Sequence, residues 1–461
     1  MQRDNVFDLI GVGFGPSNLA LAVRLAEEAG ASGIGQCFIE RQPEFGWHRG
    51  MLLDDCRMQI SFLKDLVTLR DPKSCFTFIN YLFERGRLPD FVNLKSFYPT
   101  RLEFHDYLSW VAQAFDEKVH YGETVVGIEP VAAADRSGQI NALRVFSRDE
   151  AGREWQRVTR ALSVGIGGSA RIPEAFAALG PHNIIHTSNY LTSIDRVVGQ
   201  PQSGPRKRIA VIGAGQSAAE VFIDLTRRYP GVDVSLVMRS GALKPADDSP
   251  FVNEIFSPVY TDIVYAQAKD IRRSLIDGFR DTNYAVVDRV LIEQIYEMLY
   301  LQNVGVEQRH RLLANTAIET AVRSSNGQIE LTLRNRLDGH ACAERFDALV
   351  LATGYGRATH LGLLDGLAPY LGDALAQGNV GRDYRLSTPA NFKPRIYLQG
   401  CCEDSHGLSD TLLSVLALRS DEITSSLTQE VKQEIKQEAG GGPMPDQLKR
   451  AVEGGRLASA L

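Results

Sequence analysis

The sequence predicts an α/β chain with two Rossmann-like dinucleotide-binding domains and a smaller, mainly helical insertion, and three observations predict it. Gly11-Val-Gly13-Phe-Gly15-Pro16 follows an apolar strand, Val6 to Ile10, and precedes a helical run through Leu19, Leu21, Val23 and Leu25. Gly213-Ala-Gly215-Gln216-Ser217-Ala218 repeats the arrangement after Arg208 to Ile212 and before Ala219 to Leu225. Between residues 245 and 309 the strand–helix alternation gives way to loops and a strongly amphipathic stretch, Tyr284 to Tyr300. Strand, glycine turn and helix N-terminus together make a pyrophosphate cradle. The glycines let the backbone approach the phosphates, and the first helical amides and the helix dipole face the negative charge. Two such matches argue for two dinucleotides on one polypeptide.

The residues that follow each cradle separate the two nucleotides. The strand after the first, Gly35 to Ile39, ends in Glu40, an acid placed to accept hydrogen bonds from ribose hydroxyls. The matching strand after the second, Val234 to Met238, ends in Arg239, a cation suited to a 2′-phosphate. FAD at the N-terminal site and NADPH at the internal one is the simplest pairing, because a nicotinamide must deliver hydride to an acceptor. Pro16 departs from the usual glycine fingerprint and suits the first turn of a helix.

Along the chain, the FAD-binding domain is expected at 1–168 and 352–427, and the NADPH-binding domain at 169–244 and 310–351. The substrate-binding insertion is 245–309, and 428–461 is a flexible polar tail with Gly440-Gly-Gly442. Within the first domain, a loop-rich stretch from Arg41 to Pro99 precedes a helix near Leu102–Ala114. A polar linker, Gln200–Lys207, precedes the second cradle, and alternating strands near Ala317–Val322 and Ile329–Leu333 rejoin that domain. The apolar strand beginning at Ala348 crosses back, followed by a strand at Arg395–Gln399 and a helix from Leu408 to Leu427.

Composition narrows the function classes. Of 461 residues, 44% are hydrophobic and 23% charged, as in an ordinary soluble globular protein. A net charge of −6 gives no electrostatic footprint for nucleic acid or an anionic membrane. No apolar run approaches the ~18 residues of a membrane span, and the N-terminus leads straight into the first strand, so the expectation is a cytoplasmic chain. The six cysteines lack CxxC spacing, which removes the dithiol flavin reductases; Cys401-Cys402 reads as a pair of buried small apolar residues. The histidines show no ligand spacing, so no metal site is expected.

Five longer motifs carry a family resemblance over residues 6 to about 425. They are Met58 to Pro72, Leu243 to Glu254, Asp281-Thr-Asn-Tyr284, Ala352-Thr-Gly-Tyr355 and Ser405 to Leu416. In this order they resemble the flavin-dependent N-hydroxylating monooxygenases, and most of all the bacterial L-ornithine N-monooxygenases of hydroxamate siderophore pathways. The resemblance implies that NADPH reduces FAD, that the reduced flavin and molecular oxygen give a C4a-hydroperoxide, and that the side-chain amine of L-ornithine attacks it. An alkylammonium with a pKa near ~10 must lose its proton first, so the pocket has to desolvate it and offer neutral acceptors. By resemblance, Lys64 faces the amino-acid carboxylate, Asn253 and Asn283 contact the substrate, and Ser414 completes its site. Asn283 and Gln59 are the candidate catalytic residues, Asn283 lying between substrate, nicotinamide and flavin. Flavin positioning falls to Gly11, Gly13, Glu40, the turn Phe45-Gly46-Trp47-His48, Gln59, and Thr411, Leu412 and Leu413, with a helix N-terminus near Leu408 aimed at the flavin. NADP contacts fall to Gly213, Gly215, Gln216, Ser217 and Arg239.

Lys64 sits among Ile60, Phe62, Leu63, Leu66 and Val67, a poor setting for a solvated lysine. Its carboxylate role favours an α-amino acid over a diamine. The alternative within the class is the same chemistry on L-lysine or a diamine such as putrescine, because one methylene is worth only roughly 1–3 kcal/mol. A substrate-independent NADPH oxidase and a nucleotide-binding redox sensor are the readings from other classes; Lys64, Asn253, Asn283 and Ser414 argue against the sensor, which needs no amine pocket. By resemblance the chain is a monomer or a homo-tetramer.

Overall fold

The computed structural model describes residues 6–28, 34–133, 138–199, 205–305 and 307–438. Residues 200–204 of the expected linker, and the tail beyond residue 438, lie outside the described residues. Short strands that are apolar and buried along their whole length are the mark of parallel sheets. The first unit opens with β1 (Leu9–Val12), α1 (Pro16–Glu27), β2 (Gln36–Glu40), α2 (Arg101–Gln113), β3 (Val119–Tyr121) and β4 (Ala161–Val164). The second contributes β5 (Ile184–His186), β6 (Lys207–Ile212), α3 (Gln216–Arg228), β7 (Val232–Val237), α4 (Arg289–Val304), β8 (Arg311–Leu313) and β9 (Ala348–Leu351). Then β10 (Arg395–Leu398) and α5 (Leu416–Glu438) return to the first.

Two parallel sheets result, in the orders β10-β4-β1-β2-β3 and β5-β9-β6-β7-β8. These are the two Rossmann-like sheets expected from the glycine turns. The chain leaves the first unit at Ser169–Ala170 and returns at Tyr355–Gly356, and the two passages pair antiparallel. Leu9, Ile10, Leu162, Ile396 and Leu398 of the first sheet share one core with Leu21 and Leu25 of α1 and Ile423 and Leu427 of α5. No described helix is long and apolar enough to cross a membrane.

Two expected helices begin later than the sequence pattern implies. The Tyr284–Tyr300 stretch starts with Val286–Val287 paired to Lys244–Pro245, and α4 begins only after Asp288, whose carboxylate accepts the Val290 and Leu291 amides. The helix expected from Leu408 is broken into two short 3-10 turns, Leu408–Thr411 and Leu413–Val415, and α5 starts at Leu416. The Asp410 carbonyl, which a continuous helix would commit to the amide four residues on, accepts instead from the Arg419 guanidinium at 2.6 Å. The flavin-directed helix N-terminus expected near Leu408 is therefore replaced by a loop whose shape is set by Arg419.

That guanidinium is 2% exposed and its partner Asp410 1%. It also bonds the Asp410 carboxylate at 3.1 Å and the Ser17 hydroxyl of α1 at 2.9 Å, and it lies 5.6 Å from the Tyr384 ring centroid. Removing one member of such a pair leaves a buried charge uncompensated. Asp410→Ala is expected to lower stability by about 3–5 kcal/mol in urea unfolding; a loss under about 1 kcal/mol would show that water or another group takes over.

His406 is fully buried and neutral: Nδ1 lies 2.8 Å from the Ser405 hydroxyl, Nε2 lies 3.3 Å from the Arg382 carbonyl, and the ring stacks on Tyr384 at 4.1 Å. Burial pushes its imidazole from the ordinary 6.5 down to about 4. The unfolded chain then binds the proton that the folded ring refuses, so stability present above pH 6.5 is lost as pH falls toward 4. Unfolding at pH 5 rather than pH 7 is expected to show a loss of about 2 kcal/mol from this residue, absent in His406→Gln.

Candidate active site

The first glycine turn is tight because its neighbours leave no room. Gly13 adopts φ +81°, and a Cβ there would lie 2.7 Å from the Gly165 carbonyl oxygen. At Gly15, the N-cap of α1, a Cβ would meet nothing within 4 Å, and no side chain caps the helix. The start of α1 is thus left without a side-chain cap, so its free amides remain available to a pyrophosphate. Asn18, which sequence reasoning passed over, holds the turn in shape. Its amide donates to the Gly13 carbonyl at 2.6 Å, and its oxygen accepts from Ser163 at 2.7 Å and Gln399 at 2.9 Å, tying β1, β4 and the end of β10 together. The only sequence signal was a polar side chain inside an apolar helical run.

Glu40 ends β2 and is buried, each carboxylate oxygen accepting one backbone amide: Phe14 at 2.7 Å and Gln42 at 2.9 Å. Lone pairs remain on both oxygens for ribose hydroxyls. The Phe45–His48 turn is pinned by Gln42 to the Gly46 carbonyl at 3.0 Å and by Arg49 to the Phe45 carbonyl at 2.5 Å. Trp47 lies edge-on to His48 at 4.8 Å and to Phe104 at 6.0 Å. The His48 ring is accessible to water yet crowded by protein, as befits a cleft wall. That crowding, with the nearby Arg101 and Arg357 charges, pushes its imidazole well below the ordinary range.

The second turn repeats the design. Gly213 has φ +150°, and a Cβ there would lie 2.4 Å from the Ala352 oxygen; Gly215 opens α3 without a side-chain cap, and Ser217 lies in its first turn. Gln216 is committed at both ends of its carboxamide, accepting from the Asp288 amide at 2.7 Å and donating to Glu220 at 2.9 Å. Glu220 in turn forms a buried bidentate pair with Arg101 of α2, at 2.7 and 3.0 Å, which joins the two units. Arg239 is exposed at the end of β7, with no side-chain partner among the described residues. Beside it, the Ser240 hydroxyl is buried and unpartnered, and Arg336 donates to the Arg239 carbonyl at 2.8 Å. Ser240 and Arg336 were not legible as a pair because long-range packing brings them together.

The expected substrate residues lie on three segments, the Lys64 loop, the insertion and the loop 408–414. Lys64 is half-buried, and its ammonium has no partner among the described residues; burial alone lowers its pKa. The adjacent Asp65 does not pair with it, being saturated by the amides of Val67, Thr68 and Phe78 and the Thr68 hydroxyl. Ile60 and Phe62 of the Lys64 loop pack in the same apolar cluster as Leu413. On the other side, Leu408 packs with Ile255 and Val264 of the insertion, and Tyr284 donates to Glu403. Tyr284 also bonds Thr411, and Leu412 continues the loop toward Ser414. Asn283 is half-buried with no side-chain partner among the described residues, whereas Asn253 donates to the Asp248 carbonyl at 2.6 Å, leaving its oxygen free. Ser414 is 3% exposed and its hydroxyl has no protein partner. Gln59 is exposed on the same loop as Lys64.

Arg239→Ala is expected to weaken NADPH binding roughly 10- to 100-fold and to leave NADH binding nearly unchanged, read from the concentration dependence of flavin reduction. Retained preference for NADPH would move the 2′-phosphate contact to other residues.

The sequence pattern of the family described as L-lysine 6-monooxygenase/L-ornithine 5-monooxygenase matches residues 5–357. An L-ornithine N(5)-monooxygenase of Burkholderia cepacia is 73% identical over 407 residues, covering 88% of this chain and 91% of the relative. The solved structure of the reduced form of ornithine hydroxylase from Pseudomonas aeruginosa aligns with a TM-score of 0.87 at 49% identity, covering 92% of this chain and 100% of that one. An ornithine N-hydroxylase of Kutzneria sp. 744, described as holding reduced FAD, NADP+ and L-ornithine, aligns with a TM-score of 0.85 at 35% identity, over 92% of this chain and 99% of that one.

Proposed function

The chain belongs to the L-lysine 6-monooxygenase/L-ornithine 5-monooxygenase family, and from that premise we propose that it is an FAD- and NADPH-dependent enzyme that hydroxylates the side-chain amine of L-ornithine. The product, N-hydroxyornithine, is the precursor of a hydroxamate siderophore, made in the cytoplasm. The observation that carries the choice of substrate is Lys64: a half-buried ammonium with no carboxylate partner among the described residues, on a loop whose Ile60 and Phe62 share an apolar cluster with Leu413. An α-amino acid supplies that carboxylate, and a diamine does not.

We assign residues 1–168 and 352–427 to FAD, 169–244 and 310–351 to NADPH, and 245–309 to the substrate insertion. FAD would be held by the amides at the start of α1 and by Glu40, with the Phe45–His48 turn and Gln59 beside its ring system. NADPH would be held by the amides at the start of α3 and by Arg239, Ser240 and Arg336 around the 2′-phosphate. When bound, the flavin supplies hydride storage and the reduction of molecular oxygen.

What remains for the protein is to fix the amino acid and to keep its amine uncharged. Lys64 binds the carboxylate as a point charge. Asn253 and Asn283 present neutral carboxamides to the amine, and the Ser414 hydroxyl offers one more hydrogen bond from the far wall. A half-buried site that offers neutral acceptors favours the free amine over the ammonium. Leu413, packed against the apolar cluster that also takes Ile60 and Phe62, would help to keep water from the site.

Purified protein with FAD, NADPH and, in parallel, ornithine, lysine or putrescine is expected to give hydroxylamine close to one per NADPH with ornithine alone. In Lys64→Ala the ornithine KM should rise roughly 10- to 100-fold while flavin reduction by NADPH is unchanged. Equal turnover of putrescine, or an unaltered KM, would remove the carboxylate contact from the reading.

A further inference from the structure

Given the substrate role read for Lys64, we propose that Asp65 and Tyr107 are its positioning residues: they clamp the loop beside it and keep its ammonium free for the carboxylate of the amino acid. Exposure changes abruptly at this point of the chain. Lys64 is half-buried, whereas Asp65, Leu66 and Val67 are 3%, 1% and 0% exposed. A lysine on a flexible four-carbon stem pairs readily with any carboxylate in reach, and the next residue in the sequence is one. The fold prevents that pairing by leaving Asp65 no lone pair to offer.

An ionised carboxylate has about four lone-pair sites on its two oxygens. In Asp65 each of them is filled. Oδ1 accepts the amides of Val67 at 2.9 Å and Thr68 at 2.6 Å, and Oδ2 accepts the Thr68 hydroxyl at 2.7 Å and the Phe78 amide at 2.8 Å. The donors on Val67 and Thr68 close a turn directly after Lys64, and Phe78 ties that turn to the start of the helix Phe78–Glu84. Tyr107 of α2, fully buried, supplies the second clamp. Its hydroxyl accepts the Leu66 amide at 3.3 Å and donates to the Phe76 carbonyl at 2.9 Å, spanning the two ends of the same loop. On the other side, the Lys64 amide donates to the Ser61 carbonyl at 2.9 Å. The backbone is thereby fixed on both sides of Lys64, while its ammonium has no partner among the described residues.

Two consequences for binding follow. A Lys64 paired with Asp65 would have to be released before a substrate carboxylate could take its place, and that exchange would weaken binding. A loop already held in one shape also spares the ordering that would otherwise oppose association, and it holds the amino acid at one distance from the reacting centre. The clamp is made of polar bonds set inside aromatic packing. The Tyr107 ring lies edge-on to Phe78 at 5.3 Å and tilted against Phe104 at 5.3 Å, contacts that do not involve its hydroxyl. The hydrogen bonds can therefore be removed and the packing kept.

The test follows hydroxylamine formation by the full holoenzyme in Tyr107→Phe, Lys64→Ala and the double variant. In Tyr107→Phe the ornithine KM should rise about 5- to 10-fold, with kcat changed less than about twofold and flavin reduction by NADPH unaltered. In the Lys64→Ala background the same substitution should change KM less than about twofold, because the residue it positions is gone. Asp65→Asn, whose amide would turn donors toward donors of the loop, should raise the ornithine KM about tenfold or more. Ornithinamide, which lacks the carboxylate, separates positioning from general damage: its KM should be the same in Tyr107→Phe as in the unaltered enzyme. An unchanged ornithine KM in Tyr107→Phe, equal changes for ornithine and ornithinamide, or full additivity with Lys64→Ala overturns the positioning role and leaves Lys64 itself in place. An unchanged KM in Lys64→Ala removes the carboxylate contact, and the positioning role with it. If Asp65→Asn does not fold, Tyr107→Phe decides.

Discussion

A guanidinium with almost no access to water organises this molecule. Arg419 is tolerated in the core because its terminal nitrogens meet the Asp410 carboxylate, the Asp410 carbonyl and the Ser17 hydroxyl, while its face lies toward Tyr384. Those partners come from three separate parts of the chain. Ser17 stands in the first turn of α1, beside the turn read as the pyrophosphate cradle, and Asp410 stands in the loop that carries Ser414. Satisfying one buried charge therefore aligns the first nucleotide turn with a loop that carries one of the candidate substrate residues. The same contact accompanies the break in that helix, and Ser414 lies buried on the resulting irregular backbone with its hydroxyl unpartnered among the described residues.

A second chain of polar contacts joins the two units. Arg101 at the start of α2 grips Glu220 on α3, Glu220 receives Gln216, and Gln216 receives the amide of Asp288, which caps α4 at the edge of the insertion. The helix that starts at Arg101, the second glycine turn and the insertion are thus referenced to one another, and at its centre the Arg101–Glu220 pair is shielded from water, where hydrogen bonds to ions are strongest. An arrangement of this kind suits chemistry in which a nicotinamide, a flavin and an amine must be held in register.

Much of this was legible in the sequence, and the reason is locality. Strand, glycine turn and helix are encoded within about a dozen neighbouring residues, so both cradles and the Glu40 and Arg239 strand ends could be read directly. Lys64 was legible because an ammonium in an apolar run contradicts its surroundings. What escaped was decided by residues far apart in the chain. The late start of α5 depends on Arg419 reaching back to Asp410, and the Asn18–Ser163–Gln399 knot draws on three segments. Arg336, which reaches the backbone beside Ser240, is likewise brought there by packing that no local pattern announces.

The paired passages at Ser169–Ala170 and Tyr355–Gly356 make the second unit an insertion within the first. Its last strand, β9, ends at Leu351, so the whole of its sheet has been made before β10 exists. On the ribosome the first sheet, complete through β4 at Val164, waits for its edge strand until residue 398. At ordinary elongation rates that interval is on the order of 10–50 s. During it β4 presents an unpaired edge, the liability that aggregation and mispairing exploit. The inner sheet can form before the outer one closes, while Leu408 and Glu403, which the insertion packs against, and the C-terminal helix of the outer unit arrive last, so vectorial synthesis imposes an order of maturation that refolding from denaturant does not share.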